Sequence, residues 1–156
     1  MENYLGNYDN RDRWMSYWQQ IECVLSLKTE RVLEIGIWNK TVMNYLCARG
    51  IEVVTLDVDA SLKPEIVASV EKIPVPDKSF DVVLAAEILE HLPFDKFENC
   101  LKEIGRVSKK NVIISLPHWG WTFYFMFKIP LFKKFEFLLK LSGILILIFN
   151  FNLTNK

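Results

Sequence analysis

Arg31-Val32-Leu33-Glu34-Ile35-Gly36 is a mainly apolar run that carries an acid near its end and closes on a glycine, and its reading decides the fold. Val32, Leu33 and Ile35 favour extended backbone, with no alternation of polar and apolar positions. That pattern suits a strand covered by helices on both faces of a parallel sheet. Gly36 lets the chain turn sharply and leaves no Cβ between backbone and ligand, at the strand edge where open α/β sheets hold their ligands. Up to Leu116 the sequence repeats the same strand, turn and helix rhythm, so the fold class is α/β.

The sign of the charge narrows the ligand. A strand-end glycine ahead of a helix usually suits a pyrophosphate, but Glu34 sets a carboxylate beside this turn and would repel one. A ligand bearing an ammonium or sulfonium fits instead. Ile51 to Asp57 reads as a second strand ending in another acid, roughly 20 residues on, where an acid suits a ribose diol. Together they point to a cationic nucleoside, of which S-adenosylmethionine is the common one.

At these residues the chain resembles the class I S-adenosylmethionine-dependent methyltransferases of the small-molecule type. The resemblance runs in register from about Arg31 to His118, through Val32 to Gly36, Leu56-Asp57, Ile73-Pro74, Phe80 to Glu87 and Leu89 to Leu92. Each segment is weakly specific and their order is more so. The resemblance implies a Rossmann-like three-layer sandwich, with a mainly parallel sheet of about five strands in the order 3-2-1-4-5. It implies S-adenosyl-L-methionine as cofactor and a small-molecule acceptor. Glu34 and Gly36 would then hold the methionine end, Asp57 the ribose, Ser69 and Val70 the adenine side, with Ala86 and Glu87 beneath the reacting sulfur.

Three positions depart from the family pattern: Trp38 and Lys40 stand where glycines are usual, and Ser69 where an acid often faces the adenine. An indole at position 38 must swing outward or fill the space meant for the methionine end. These departures keep a second expectation open, a relative that retains the fold but acts as a binding or membrane-associated protein. A nicotinamide oxidoreductase is disfavoured, because the Gly-x-Gly-x-x-Gly order is absent.

Two histidines are candidate catalytic bases. His91 follows the Phe80 to Ala86 strand and His118 follows the Asn111 to Leu116 strand, and an imidazole can take a proton from an attacking hydroxyl or amine. Each has a bland alternative as a packed or capping histidine. Glu87 and Glu90 flank the same turn, and only one of them is expected to face the site. The acids lie at different strand ends, so no metal site is expected.

Length and charge bound the remainder. The 156 residues suit one domain, with residues 1–118 as the core and 119–156 as an aromatic and apolar extension. The 19 basic and 19 acidic residues balance, which gives no field for nucleic acid. Cys23, Cys47 and Cys100 are odd in number and unpaired in spacing, as in a reducing compartment, and residues 1–10 lack the apolar run of a signal peptide. A cytoplasmic location, peripheral to a membrane at most, is the expectation.

Along the chain, Arg11 to Lys28 carries Trp14, Tyr17, Trp18, Ile21, Val24 and Leu25 at helical spacing, and is expected to lay that stripe on the sheet as core. Tyr8 or Trp14 would be lid candidates. Asn39 to Arg49 and Phe94 to Val107 read as helices, with Gly50 as a left-handed stop, and Ile66 to Ala68 as a short edge strand. The turn from Ile73 to Lys78 is expected to wall the adenine. In the extension, Leu141 to Phe151 is nearly all apolar and is expected first as a buried or interface helix, second as a membrane-surface element with Lys133, Lys134 and Lys140, and third as a spanning anchor. The last strands of the family fold are not evident there, and an exposed apolar tail would favour self-association.

Overall fold

A computed structural model of the chain describes residues 10–117, 125–127, 135–137 and 144–150. The elements are α1 (Arg11–Ser26), β1 (Arg31–Ile35), α2 (Thr41–Ala48), β2 (Glu52–Asp57), β3 (Ile66–Val67), β4 (Phe80–Ala86), α3 (Phe94–Val107), β5 (Ser108–Pro117), β6 (Phe125–Phe127), β7 (Phe135–Phe137) and β8 (Ile144–Asn150). The main sheet runs β3-β2-β1-β4-β5-β8, and its first five strands are parallel in the order expected. β6 and β7 form a separate antiparallel pair.

β1 lies between β2 and β4, with Glu34 level with Thr55 on one side and Leu84 on the other. Side chains alternate across the sheet. Leu33 and Ile35 join Leu56, Val83 and Ile114 under Cys100, Ile104 and Val107 of α3. Val32 joins Val53, Leu84 and Ile113 on the other face, under Ile21 and Val24 of α1 and Val42 and Leu46 of α2. Glu34 shares its parity with Val32, so its carboxyl points toward α1 and α2.

α1 begins where Asn10 accepts a hydrogen bond from the Arg13 backbone N–H at 3.0 Å. The expected aromatic stripe does not form its buried face. Tyr17, Ile21 and Val24 are buried, but Trp14 is 55% exposed and Trp18 is 52% exposed, and Ser16 and Gln20 take the inward positions. The helix is rolled because those two polar side chains meet partners at the strand ends, described below.

α2 starts from a left-handed residue, Lys40 at φ 60°. A glycine adopts that conformation without strain, which explains in physical terms why one would be usual here. Asn39 supplies the cap, accepting from Thr41 N at 3.1 Å. Gly50 ends the following turn at φ 83°, as expected.

The extension corrects one expectation. Ile144 to Asn150, inside the run anticipated as a helix, is a strand that pairs antiparallel with β5 from Asn111 to Pro117. The Ile-rich sequence suits extended backbone, and β5 offers a row of unpaired amides and carbonyls to satisfy it. Most of the remaining extension, with Lys133, Lys134 and Lys140, lies outside the described residues, as do Tyr8 and His118. No helix among the described residues is long and apolar enough to cross a membrane.

Gly36 carries the tightest steric constraint. Its φ is 84°, and a Cβ built on it would lie 2.3 Å from Ile88 Cγ2. Gly50 has nearly the same φ but open space around it. Gly36→Ala is expected to cost roughly 2–4 kcal/mol from left-handed strain plus overpacking, and Gly50→Ala only about 1 kcal/mol. Equal midpoint shifts of the two variants in urea denaturation would refute the Ile88 contact as the added cost.

Candidate functional site

Two adjoining clefts open at the carboxyl ends of the parallel strands and share Gly36, Asp57, Ile88 and His91. The first, about 360 Å³, lies on the α1 and α2 side and is lined by Glu34, Trp38, Asp57, Ala86 and Glu87 among others. The second, about 330 Å³, lies on the α3 side and is lined by Ile35, Leu56, Ala68, Ser69, Val70 and Leu92. Each falls within the ~300–1,000 Å³ range of small-molecule sites. One chamber is acidic, the other mostly apolar, and Gly36 forms the step between them.

All seven residues expected to bind a cofactor therefore line one chamber or the other. His91 lines both and is exposed to solvent. Of the two acids at the β4 turn, Glu87 faces the cleft and Glu90 is exposed outside its lining. Trp38 is 44% exposed and forms part of the cleft wall, and a cleft of about 360 Å³ remains beside it. Ile73 is different: it is buried in the α3-side core and is not part of the lining.

Asp57 ties the two neighbouring turns together. Its carboxylate accepts from Ile37 N at 3.1 Å and from Asp59 N at 2.9 Å. The first bond fixes the Gly36 to Trp38 turn against the end of β2. Each carboxylate oxygen keeps acceptor capacity beyond one bond, so this tether leaves room for a diol.

Glu34 is the most unusual group in the site. It is 5% exposed, and its Oε2 has no hydrogen-bond partner among the described residues. Burial pushes its pKa up to about 8, with the Glu65 carboxylate adding to the push. Glu65 is held nearby because it accepts bonds from the hydroxyl and the backbone N–H of Thr55, the residue level with Glu34 on β2. An unpaired buried acid facing a cleft is a receptor for a cation or a strong donor.

Glu87 is fixed by a network that the sequence reading missed. Its backbone is left-handed at φ 52°, its N–H donates to Ser115 O at 2.9 Å, and its carboxylate takes Arg13 and the Ser16 hydroxyl. Gln20 Nε2 then donates to Ser16 Oγ at 2.8 Å and reaches Ser115 Oγ at 3.5 Å. Strained backbone at a strand end survives because these partners overdetermine it. The one available signal was the i, i+4 pair of Ser16 and Gln20, polar residues at positions that face inward only if the helix is turned away from its tryptophans.

These residues fit a ligand with an apolar planar end, a diol and a cationic end. In such a fit the orphaned Glu34 oxygen would meet the cationic end and Asp57 the diol, while Ala68, Val70 and Leu92 of the apolar chamber would wall the planar end. Among the described residues no group of three or more His, Cys, Asp or Glu side chains is arranged to hold a metal ion.

A raised carboxyl pKa stabilises the fold at low pH. The stabilisation is complete below the unfolded value near 4.3 and is lost as pH climbs to the folded value. With one unit worth about 1.4 kcal/mol, a shift to about 8 implies a loss on the order of 5 kcal/mol. Glu34→Gln should therefore flatten the stability profile and exceed the parent at pH 9. Parallel pH profiles in urea melts would contradict the buried neutral acid.

Comparison with known proteins gives a consistent result. The model of the family described as methyltransferase domain matches residues 33–116. No curated protein matches the sequence. Among solved structures, the N-methyltransferase NodS from Bradyrhizobium japonicum, in complex with S-adenosylhomocysteine, is similar at TM-score 0.60 and 16% identity, over 69% of this chain and 63% of that one. The Burkholderia thailandensis 1,6-didemethyltoxoflavin-N1-methyltransferase, with its namesake compound and S-adenosylhomocysteine bound, is similar at TM-score 0.59 and 17% identity, over 76% and 61%. A protein from Archaeoglobus fulgidus described as a SAM-dependent methyltransferase follows at TM-score 0.51 and 21% identity, over 65% and 53%. The chain thus spans somewhat more than half the length of these neighbours, and at such identities the likeness is one of fold.

Proposed function

The chain belongs to the methyltransferase domain family, and on that premise we propose that it transfers a methyl group from S-adenosylmethionine to a small-molecule acceptor. The observation that carries this reading is that Glu34 and Asp57, on neighbouring strands, line one cleft with Gly36 between them. Such a cleft favours a positively charged adenosine derivative over a dinucleotide, whose pyrophosphate the Asp57, Asp59 and Glu87 carboxylates of the lining would repel. The two solved neighbours that hold S-adenosylhomocysteine lend support, one of them with a small-molecule compound bound beside it.

When bound, S-adenosylmethionine supplies a methyl group already activated by its sulfonium. The protein has then to position two partners and keep water out. In this reading Glu34 receives the amino group of the methionine end beside Gly36. Asp57 takes the ribose hydroxyls, and Ser69 and Val70 border the adenine, where the Ser69 hydroxyl offers a neutral hydrogen bond in place of a charged one. Ala86 leaves space at the end of β4, and Glu87, held by Arg13 and Ser16, borders the reacting centre. His91, reachable from both chambers, accepts the proton of a hydroxyl or amine acceptor. His118 is the second candidate for that role by its position after β5.

Titration calorimetry with S-adenosylhomocysteine tests the ligand assignment. Binding in the micromolar range is expected, and Asp57→Ala should weaken it tenfold or more, the scale of one or two lost hydrogen bonds to a charged acceptor. No heat at millimolar ligand would remove the assignment. For the base, His91→Gln should lower kcat by ~100-fold or more while the ligand still binds. An unchanged kcat would transfer the role elsewhere.

A further inference from the structure

The acidic chamber has a feature that ligand shape alone does not use. Glu34 points into it from the central strand, nearly all of its surface covered, with Oε2 unpartnered among the described residues. The charged and titratable groups around it are Arg13 and Tyr17 on α1, Lys40 at the start of α2 acting on Glu65 behind Thr55, Asp57 at the end of β2 and Asp59 after it, and Glu87 and His91 after β4. From α2 the lining residue is Val42, which brings no charge. Arg13 is engaged by Glu87, so acids outnumber the cations that could neutralise a carboxylate at position 34.

We propose that the cleft exchanges a proton at Glu34 for the amino group of its ligand, so that binding of an amino-acid-bearing nucleoside is coupled to ionisation of this one side chain. The proposal rests on the reading of the cleft as a site for S-adenosylmethionine and its product. In the free protein the carboxyl is neutral, in keeping with a pKa raised to about 8 by burial and by Glu65. The arriving ammonium supplies the counter-charge that desolvation withheld. One proton leaves the carboxyl for solvent, and the ligand stays protonated.

The balance changes sign with pH. The α-amino group of a free amino acid has a pKa of about 9, a unit above that of a chain terminus because its own carboxylate favours the ammonium, and so titrates above the buried acid. At pH 6.5 the separated partners hold two protons and the complex holds one, so binding releases one. At pH 10.5 they hold none, and binding takes one up. Affinity is therefore greatest between the two pKa values and falls on either side by up to tenfold per pH unit.

Calorimetry with S-adenosylhomocysteine in buffers of different ionisation enthalpy measures the proton count directly. The expected result is release of nearly one proton at pH 6.5, a count that passes through zero between about pH 8 and 9, and uptake at pH 10.5. 5′-Methylthioadenosine, which lacks the amino-acid end, should bind with no proton exchanged. Glu34→Gln, close to isosteric with the neutral acid, should bind S-adenosylhomocysteine without release at pH 6.5. Retention of the release in that variant, or release on binding methylthioadenosine, would assign the proton to another group such as His91 and overturn the proposal. S-Adenosylhomocysteine binding with no exchange at pH 6.5 would overturn it while leaving the ligand reading intact. Failure of the parent protein to bind either nucleoside would remove both.

Discussion

A carboxyl side chain on the central strand of a parallel sheet is the constraint from which the rest of the site follows. Glu34 lies on β1, hydrogen-bonded through its backbone to β2 and β4, so it cannot move toward water without breaking the sheet. Uncompensated burial of its charge would be expensive, and the chain meets that cost by holding the group neutral and facing it into a cleft. The surrounding packing is conventional, with apolar side chains on both faces. An acid in such a position has little use as mere packing. It makes the edge of the sheet chemically specific.

Much of this was legible in the sequence because parallel strands buried on both faces leave a distinctive trace. Val32 to Gly36, Val53 to Asp57 and Phe80 to Ala86 are mostly apolar runs, each with one polar residue inside it and a small or acidic residue at its end, and each forms a strand whose end lies at the cleft. The phase of α1 was not legible. Two tryptophans at i, i+4 look like core by hydrophobicity, and only the position of Glu87 and Ser115 in space turns the helix so that Ser16 and Gln20 face inward. β8 was hidden for another reason. A run of Ile and Leu carries no periodicity to separate helix from strand, and the choice is made by the open edge of β5, a partner remote in sequence.

The N-terminal helix belongs to the site as much as the strand ends do. Arg13 and Ser16 hold Glu87, and Gln20 links Ser16 to Ser115, so one polar chain joins α1, the end of β4 and the end of β5. Buried polar chains of this kind are costly when incomplete and rigid when satisfied. Here the chain fixes a left-handed Glu87 that few residues would tolerate. It also explains why three positions the family resemblance could not name, Arg13, Ser16 and Gln20, carry weight in this protein.

The two chambers lie toward opposite faces of the sheet and adjoin at its edge, where they share Gly36, Asp57, Ile88 and His91. A molecule occupying both must drape across the strand ends like a saddle, its two halves turned to different sides of the protein. Stiff, flat compounds of equal volume can fill one half but not the pair. Selection at this site therefore acts on the torsional freedom of the linker between base and amino acid, in addition to the charge at either extremity.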